Sequence, residues 1–452
     1  MSESPQHYQA LVIGFGKAGK TLTAFLASKG WRVALVEQSA QMYGGTCINI
    51  ACIPTKSLVH SAELGVSYSP AIAEKNRLTG FLRERNLANV TVHPEVTLLT
   101  GKASFVSAQQ VRVRLNETGE DILVEADHIF VNTGAQPRLP DVPGLRDSAR
   151  VYTSTSLMEQ SVLPERLVIL GGGFIGLEFA SMYAQFGAAV TVLETGPVLL
   201  PREDEDMAAA IRNVLTSKGI QIKTGVHLLR VESYSDAEDI VVYEDPHGQT
   251  QRLPASAILV ATGREPVVAE LNLAAAGVAQ DARGFIQVNE HLQTSVPHIW
   301  ALGDVNGGPQ FTYISLDDFR IVRDQLFGAG TRSTADRHYV ASTVFLTPPF
   351  AHVGLREKEA VAQGYQVKVA TLPAAAITRA QVLRQTEGLL KAVVEVGTDR
   401  ILGCSLLCAE AGEVINTVQL AMKAGVPYQT LRDNIYTHPS MAEALNDLFG
   451  KV

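Results

Sequence analysis

One strand–turn–helix–strand unit occurs twice in this 452-residue chain, and that duplication limits the fold more than any other feature. In the first copy an apolar run over residues 8–13 leads into Gly14-Phe15-Gly16-Lys17-Ala18-Gly19. A helix-compatible stretch follows to about residue 29, then a second apolar run over 32–36 that ends in Glu37. In the second copy, residues 166–170 lead into Gly171-Gly172-Gly173-Phe174-Ile175-Gly176, a helix to about residue 186 and a strand that ends in Glu194. First glycine and terminal acid lie 23 residues apart both times (14 to 37, 171 to 194). This is G-x-G-x-x-G in the setting that gives it meaning. The first glycine makes the turn, the second lets the backbone approach a pyrophosphate, and the third lets the helix pack on the strand. The helix N-terminus favours the anion, and the acid accepts hydrogen bonds from an adenosine ribose. Glycines of an ordinary loop are the common explanation of a lone match, but chance repetition of the whole geometry is not. The chain is therefore expected to bind two dinucleotides, one on each of two doubly wound sheets.

A second element repeats too. Residues 129–137 and 258–266 are β-branched strands stopped by Thr133-Gly134 and by Thr262-Gly263. Strand-rich insertions over 111–126 and 228–252 sit inside the two halves, and residues 299–304 run an apolar strand into Asp304, followed by a helix-like segment near 315–327. Residues 332–339 are polar and read as a linker. Beyond them, strands are expected at 343–346, 366–371, 389–396 and 402–407, with helices at about 410–424 and 440–449. A chain this long exceeds one ordinary core. The expected class is α/β: two doubly wound Rossmann-like dinucleotide-binding domains and a C-terminal α+β domain.

Composition narrows the partners. A net charge of −8 with no polybasic run disfavours nucleic acid and anionic membranes. No apolar stretch reaches the length of a membrane span, and the polar start of the chain does not read as a signal peptide. Four cysteines in this length do not make a secreted disulfide framework. Two of them, Cys47 and Cys52, follow the turn Gly44-Gly45-Thr46, precede a helix-compatible run over 57–63, and have Lys56 four residues on. A helix N-terminus and a lysine both favour thiolate, and two neighbouring thiols form a two-electron store. Buried core cysteines are the usual alternative; the glycines, Pro54 and Lys56 favour redox chemistry, in a reducing cytoplasm. Cys404 and Cys408 share one face of an expected strand and read as core. The 11 histidines show no metal-ligand spacing, so no resident metal is expected.

With these pieces together, the chain resembles the flavoprotein disulfide reductases (pyridine nucleotide-disulfide oxidoreductases), the group of lipoamide dehydrogenase, glutathione reductase and mercuric reductase. The resemblance covers essentially the whole length. It rests on both glycine fingerprints, the Cys47/Cys52 box, Glu178, both Thr-Gly strands, Gly303-Asp304, and His438-Pro439-Ser440-Met441-Ala442-Glu443. It implies one FAD per subunit, held by Gly14, Gly16, Gly19, Glu37, Thr46, Lys56, Thr133, Gly134 and Asp304. It implies NAD(H) on Gly171, Gly173, Gly176, Glu194 and Gly263. Lys56 and Glu178 resemble the ion pair beside the flavin's reactive edge. Cys52 matches the flavin-facing sulfur and Cys47 the interchange sulfur that attacks substrate. His438, oriented by Glu443, resembles an acid–base dyad contributed by a second subunit, which implies a homodimer. The implied domains are FAD-binding over 1–149, NAD(H)-binding over 150–268, a central segment over 269–337 completing the FAD site, and a dimerisation domain over 338–452.

Departures from the family pattern are Ala51 for glycine in the box, Phe174 for a tyrosine at the nicotinamide pocket, Ser440 and Ala442 for threonine and serine, and Tyr436 for an earlier histidine. Glu194 repels a 2′-phosphate and accepts from a free 2′-hydroxyl, and only Arg202 is near, so NADH is expected over NADPH. Met42-Tyr43 and residues 311–318 look most like the bacterial reactive-chlorine-resistance oxidoreductases. That subgroup is associated with defence against oxidants such as hypothiocyanous acid and with copper(II) reduction. The expected function is electron transfer from NADH to a small thiol-reactive oxidant or a metal-ion acceptor. The alternatives are a dihydrolipoamide dehydrogenase and, outside enzymes, a flavin-bearing redox sensor or scaffold.

Overall fold

The computed structural model describes residues 5–452 and divides the chain into two compact units. One gathers residues up to Leu58, Ile72–Arg138 and Gly263–Arg337; the other gathers Val59–Ala71, Leu139–Thr262 and His338–Val452.

In the first unit, five strands run parallel in the order Val96–Phe105, Val33–Glu37, Gln6–Ile13, Asp121–Val131, Ile299–Ala301. The antiparallel strand Gln110–Leu115 links the two long ones. The second half of Gln6–Ile13, residues 10–13, is a continuous apolar run because both of its faces are covered. Leu11 and Ile13 enter one core with Ala34, Val36 and Ile129. Ala10 and Val12 enter the other with Phe15, Leu22, Leu26 and Phe319, from the helices that cover that face. The segment after Gly263 thus supplies a strand to the first sheet and the helix Thr312–Phe327 to one of its faces.

The second unit repeats the theme with five parallel strands in the order Gln221–Thr224, Ala189–Glu194, Arg166–Leu170, Ala257–Val260, Val151–Tyr152. A three-stranded antiparallel sheet, His227–Ser233, Asp239–Glu244 and Thr250–Ala255, forms the insertion. The C-terminal part is a five-stranded antiparallel sheet in the order Ser342–Val344, Phe350–Gly354, Ile401–Leu407, Leu389–Glu395, Val367–Pro373. Helix Ala411–Ala424 buries Ala411, Val414, Ile415, Val418, Ala421 and Met422, a one-sided stripe, and ends at Gly425 in the left-handed region.

Among the elements that differ from the sequence reading, three have a plain physical cause. Helix Tyr68–Thr91 was not expected, because its buried stripe includes Lys75 and Thr79 and dilutes the apolar period. Strand Phe350–Gly354 was hidden by its buried polar His352. The helix after the cysteine box starts at Cys52 itself, with Pro54 in its first turn, where a missing N–H costs nothing. No helix among the described residues is long and apolar enough to cross a membrane.

Candidate active site

The first glycine turn is built by exclusion of side chains. A Cβ on Gly14, at φ +105°, would lie 2.3 Å from the Asn132 carbonyl oxygen, and one on Gly16 2.4 Å from Asn132 Oδ1. Gly19 N–H donates to Asn132 Oδ1 at 2.9 Å, and Asn132 Nδ2 donates to Leu302 O at 2.5 Å. Asn132 thus ties the turn to the two strand ends that carry Thr133 and lead to Asp304. The N-cap Gly16 offers helix Lys17–Ala27 no side chain, and two opening amides are satisfied from elsewhere, Gly19 by Asn132 and Ala18 by Ser315 Oγ at 3.2 Å. Glu37 is buried; its Oε2 accepts from Phe15 N–H at 3.0 Å and its Oε1 from Ser39 N–H at 3.2 Å. Burial raises the pKa of Glu37 and those amides oppose it. Burial likewise raises Asp304, against the pull of Arg264. Thr133 Oγ1 is buried with no hydrogen-bond partner. An orphaned hydroxyl, a bare-backbone cradle, the buried Glu37 and the half-buried Asp304 are a donor–acceptor set that fits FAD.

The cysteine box lies against this cradle. A Cβ on Gly45 would approach Gly16 Cα to 2.6 Å, so two bare backbones touch there. Arg83 Nε donates to Asn49 Oδ1 at 2.8 Å, and Asn49 Nδ2 donates to the carbonyls of Tyr43 and Gly45, both at 3.0 Å. Cys47 lies in the short helix Thr46–Asn49 and Cys52 opens helix Cys52–Glu63; both are half-buried free thiols. Cys52 Sγ is 3.5 Å from Oγ1 of Thr312, the first residue of helix Thr312–Phe327. The thiols are unequal. A hydrogen bond from Cys47 lowers Cys52 to about 6, aided by Thr312 and the charge of Lys56, against burial. The same hydrogen bond, with burial, pushes Cys47 up, and Thr312 and Lys20 pull it partly back. The pair therefore loses its first proton from Cys52, while Cys47 keeps its own and donates.

In the second unit a Cβ on Gly171, at φ +106°, would meet the Ala261 carbonyl oxygen at 2.6 Å, and one on Gly176 would meet Gly171 O at 2.1 Å. Gly173 has open space around it, and no side chain caps helix Phe174–Phe186. Glu194 Oε2 accepts from Gly172 N–H and Oε1 from Gly196 N–H, each at 2.7 Å. Gly263, at φ +118°, groups with the first unit. Glu178 is buried and accepts from Phe345 N–H at 2.8 Å. His438 Nδ1 lies 2.9 and 3.0 Å from the two Glu443 oxygens, and its side chain is 63% exposed. An imidazole held at Nδ1 by a carboxylate presents Nε2 outward. Cys404 and Cys408 are buried in the C-terminal core, and burial pushes both thiols up. Among the described residues, no group of three or more His, Cys, Asp or Glu is arranged to hold a metal ion.

Comparison with known proteins matches the family described as pyridine nucleotide-disulphide oxidoreductase over residues 8–318, and its dimerisation domain over 340–449. The chain belongs to this family. Its oxidoreductase relatives include the probable pyridine nucleotide-disulfide oxidoreductase RclA of Escherichia coli, 49% identical over 98% of this chain and 99% of that one. A mercuric reductase of Bacillus cereus is 32% identical over 98% of this chain and 71% of its own. The copper(II) complex of the HOCl-induced flavoprotein disulfide reductase RclA from Escherichia coli superposes with TM-score 0.95, covering 99% of this chain and all of that one. This flavoprotein disulfide reductase is thus an oxidoreductase of a family that binds FAD and uses NAD(P)H, with the expected α/β architecture and a C-terminal dimerisation domain.

Four residues of this reductase escaped the sequence reading: Lys20, Asn132, Arg264 and Thr312. Arg264 is largely buried and faces both Asp304 and Cys52. A signal for Asn132 was present in the internal repeat, where its counterpart is Ala261.

Proposed function

We propose that this reductase passes electrons from NADH by way of FAD to the Cys47–Cys52 pair, and on to a small thiol-reactive oxidant, hypothiocyanous acid or a related reactive chlorine species, or to copper(II). The observation that carries the reading is the pair itself, two half-buried free thiols with Cys52 opening a helix, in a chain 49% identical to RclA. FAD, held by Gly14, Gly16, Gly19, Glu37, Thr46, Thr133, Gly134 and Asp304, supplies a two-electron relay between nicotinamide and sulfur. Lys56 and Glu178 belong to the proposal as the charged residues that the resemblance assigns to the flavin edge. Gly171, Gly173, Gly176, Glu194 and Gly263 are the proposed NADH contacts. Glu194 Oε2, which accepts from Gly172 N–H, has a lone pair left for a ribose hydroxyl.

Cys47 keeps its proton while Cys52 holds the charge, so Cys47 needs a base before it can attack. In a homodimer the partner subunit's His438, oriented by its carboxylate, takes that proton; the 63% exposure of His438 here leaves it available to a second chain. The Cys47 thiolate then forms a bond to the electrophilic sulfur of hypothiocyanous acid, and the leaving hydroxide takes up the proton as water. The Cys52 thiolate attacks the Cys47–S bond, thiocyanate leaves, and a disulfide remains. Two electrons have left the pair, one oxidant molecule has been reduced, and NADH restores the thiols. With copper(II), two ions each take one electron. RclA, induced by HOCl and known in complex with copper(II), supports both acceptors. A reducing cytoplasm suits a pair recycled by NADH.

The test is turnover of NADH with hypothiocyanous acid, copper(II) and lipoamide side by side. The oxidant or copper(II) is expected to give the highest kcat/KM, and Cys47→Ser to abolish it. Preference for lipoamide would replace this reading with a lipoamide dehydrogenase. Full biological effect with Cys47→Ser would replace it with a sensor or scaffold.

A further inference from the structure

Lys20 sits where a polar residue needs a reason. It lies on helix Lys17–Ala27, one residue after the third fingerprint glycine, and the equivalent residue of the second fingerprint is Leu177, fully buried. The fold itself accepts an apolar side chain at that position. Lys20 Nζ instead turns toward the cysteine box, donating to Gly44 O at 2.9 Å and to Asn86 Oδ1 at 2.6 Å. Gly44 and Gly45 both have positive φ, at +98° and +81°, so the carbonyl that Lys20 holds belongs to the strained turn that delivers Thr46 and Cys47. Asn86 is itself fixed, donating through Nδ2 to Leu82 O at 2.7 Å within helix Tyr68–Thr91. The ammonium therefore bridges two helices and the box.

We propose that Lys20 is a positioning residue for Cys47: its ammonium locks the Gly44 turn and supplies the positive charge that the interchange sulfur feels within its own subunit. The idea rests on Cys47 being the sulfur that meets the acceptor. The charges act reciprocally. Burial and Lys17 lower Lys20 to about 8 and Cys47 raises it again, while Lys20 opposes the upward push on Cys47. The groups facing Lys20 are Lys17 on its own helix, Asn86 on the neighbouring helix, and Cys47 on the box; those facing Cys47 are Cys52, Thr312 and Lys20. A cation in the subunit's own fold biases Cys47 toward thiolate before any partner histidine arrives. The glycine lock keeps that sulfur at a fixed distance from Cys52.

The test removes Cys52, so that Cys47 is the one cysteine outside the core, and measures iodoacetamide capture of Cys47 across pH in the flavin-loaded Cys52→Ser protein, with the labelled peptide read by mass spectrometry. In that background, Lys20→Gln keeps a donor to Gly44 without the charge, and Lys20→Arg keeps the charge. Lys20→Gln is expected to slow capture at neutral pH by about threefold or more and to move the profile alkaline, since half a pKa unit changes the thiolate share about threefold. Lys20→Arg is expected to restore the profile. Profiles for Lys20→Gln that coincide with Cys52→Ser overturn the proposal, as does an equal slowing in Lys20→Arg. Lys20→Gln is close in length and shape to lysine's inner chain, and far-ultraviolet circular dichroism with flavin content checks its fold; an unfolded Lys20→Gln alongside a folded Lys20→Arg also counts for the lock. Failure of the underlying reading appears elsewhere, as normal turnover of Cys47→Ser with otherwise native Lys20.

Discussion

Replacing Thr312 by valine is the sharpest probe of the cysteine pair. The two side chains have nearly the same shape, so the change removes a hydroxyl and little else. That hydroxyl lies 3.5 Å from Cys52 Sγ. A hydrogen bond to an ionised partner contributes about 1.5–3 kcal/mol, and a long sulfur contact belongs at the weak end, about 1.5 kcal/mol. At 1.36 kcal/mol per pKa unit, this is about one unit. Cys52, lowered to about 6 in the parent, is then expected near 7 in Thr312→Val by that conversion. The sign follows from the charged form. Thiolate is present above the pKa and lost as pH falls through it, so the variant loses its thiolate earlier on descent. At pH 7 the thiolate share is expected to fall from about nine-tenths to about one-half. The assay is anaerobic titration of thiolate ultraviolet absorbance in the reduced proteins, with iodoacetamide capture of Cys52 as the second readout. Cys404 and Cys408 are silent in both, being buried with their thiols pushed up. An unchanged midpoint, or one displaced to lower pH, refutes the assignment of Thr312 as a stabiliser of the Cys52 charge.

Other outcomes follow from the same geometry. His438→Gln removes the proposed base and is expected to lower acceptor turnover about 100-fold, with reduction of the flavin by NADH intact in stopped flow. Steady-state kinetics are expected to show kcat/KM for NADH at least about tenfold above NADPH, because the Glu194 carboxylate, held by Gly172 N–H at the second fingerprint, would repel a 2′-phosphate bound there. Lys391 Nζ lies 3.2 Å from Asp204, 2.9 Å from Asp206 and 2.7 Å from Glu357, with 3% of its side chain exposed. Lys391→Met takes the cation from Asp204, which keeps two backbone amide donors, and from the partly exposed Asp206 and Glu357, and is expected to destabilise the second unit by about 1–2 kcal/mol in guanidinium unfolding.

What the sequence displays and what it conceals divide along physical lines. Gly14 and Gly176 are legible because a Cβ there would strike backbone at 2.3 and 2.1 Å, and only one residue type avoids that. The requirement is local, strict and repeated, so both nucleotide units and their order were readable. His438 and Glu443 were readable for a similar reason, lying five residues apart in one loop. Thr312 was not, because its partner Cys52 is 260 residues away and nothing in a lone threonine announces a sulfur neighbour. Asn132 joins Gly19 and Leu302 across 113 and 170 residues, and only the mismatch with Ala261 in the repeat hinted at it. Lys20 was masked by the fingerprint around it, which accounted for the segment without needing a charge.

The burial of Cys404 and Cys408 has a consequence for an enzyme whose proposed acceptors attack sulfur. Oxidation climbs from sulfenic to sulfinic acid wherever a thiolate is reachable and lacks a rescuer. Here the reachable cysteines are Cys47 and Cys52, so each can quench the other's first oxidation product as a disulfide. The remaining two are protonated and sealed in the C-terminal core. Among the described residues, no cysteine thiol stands within reach of the proposed oxidant that the enzyme's own turnover cannot repair.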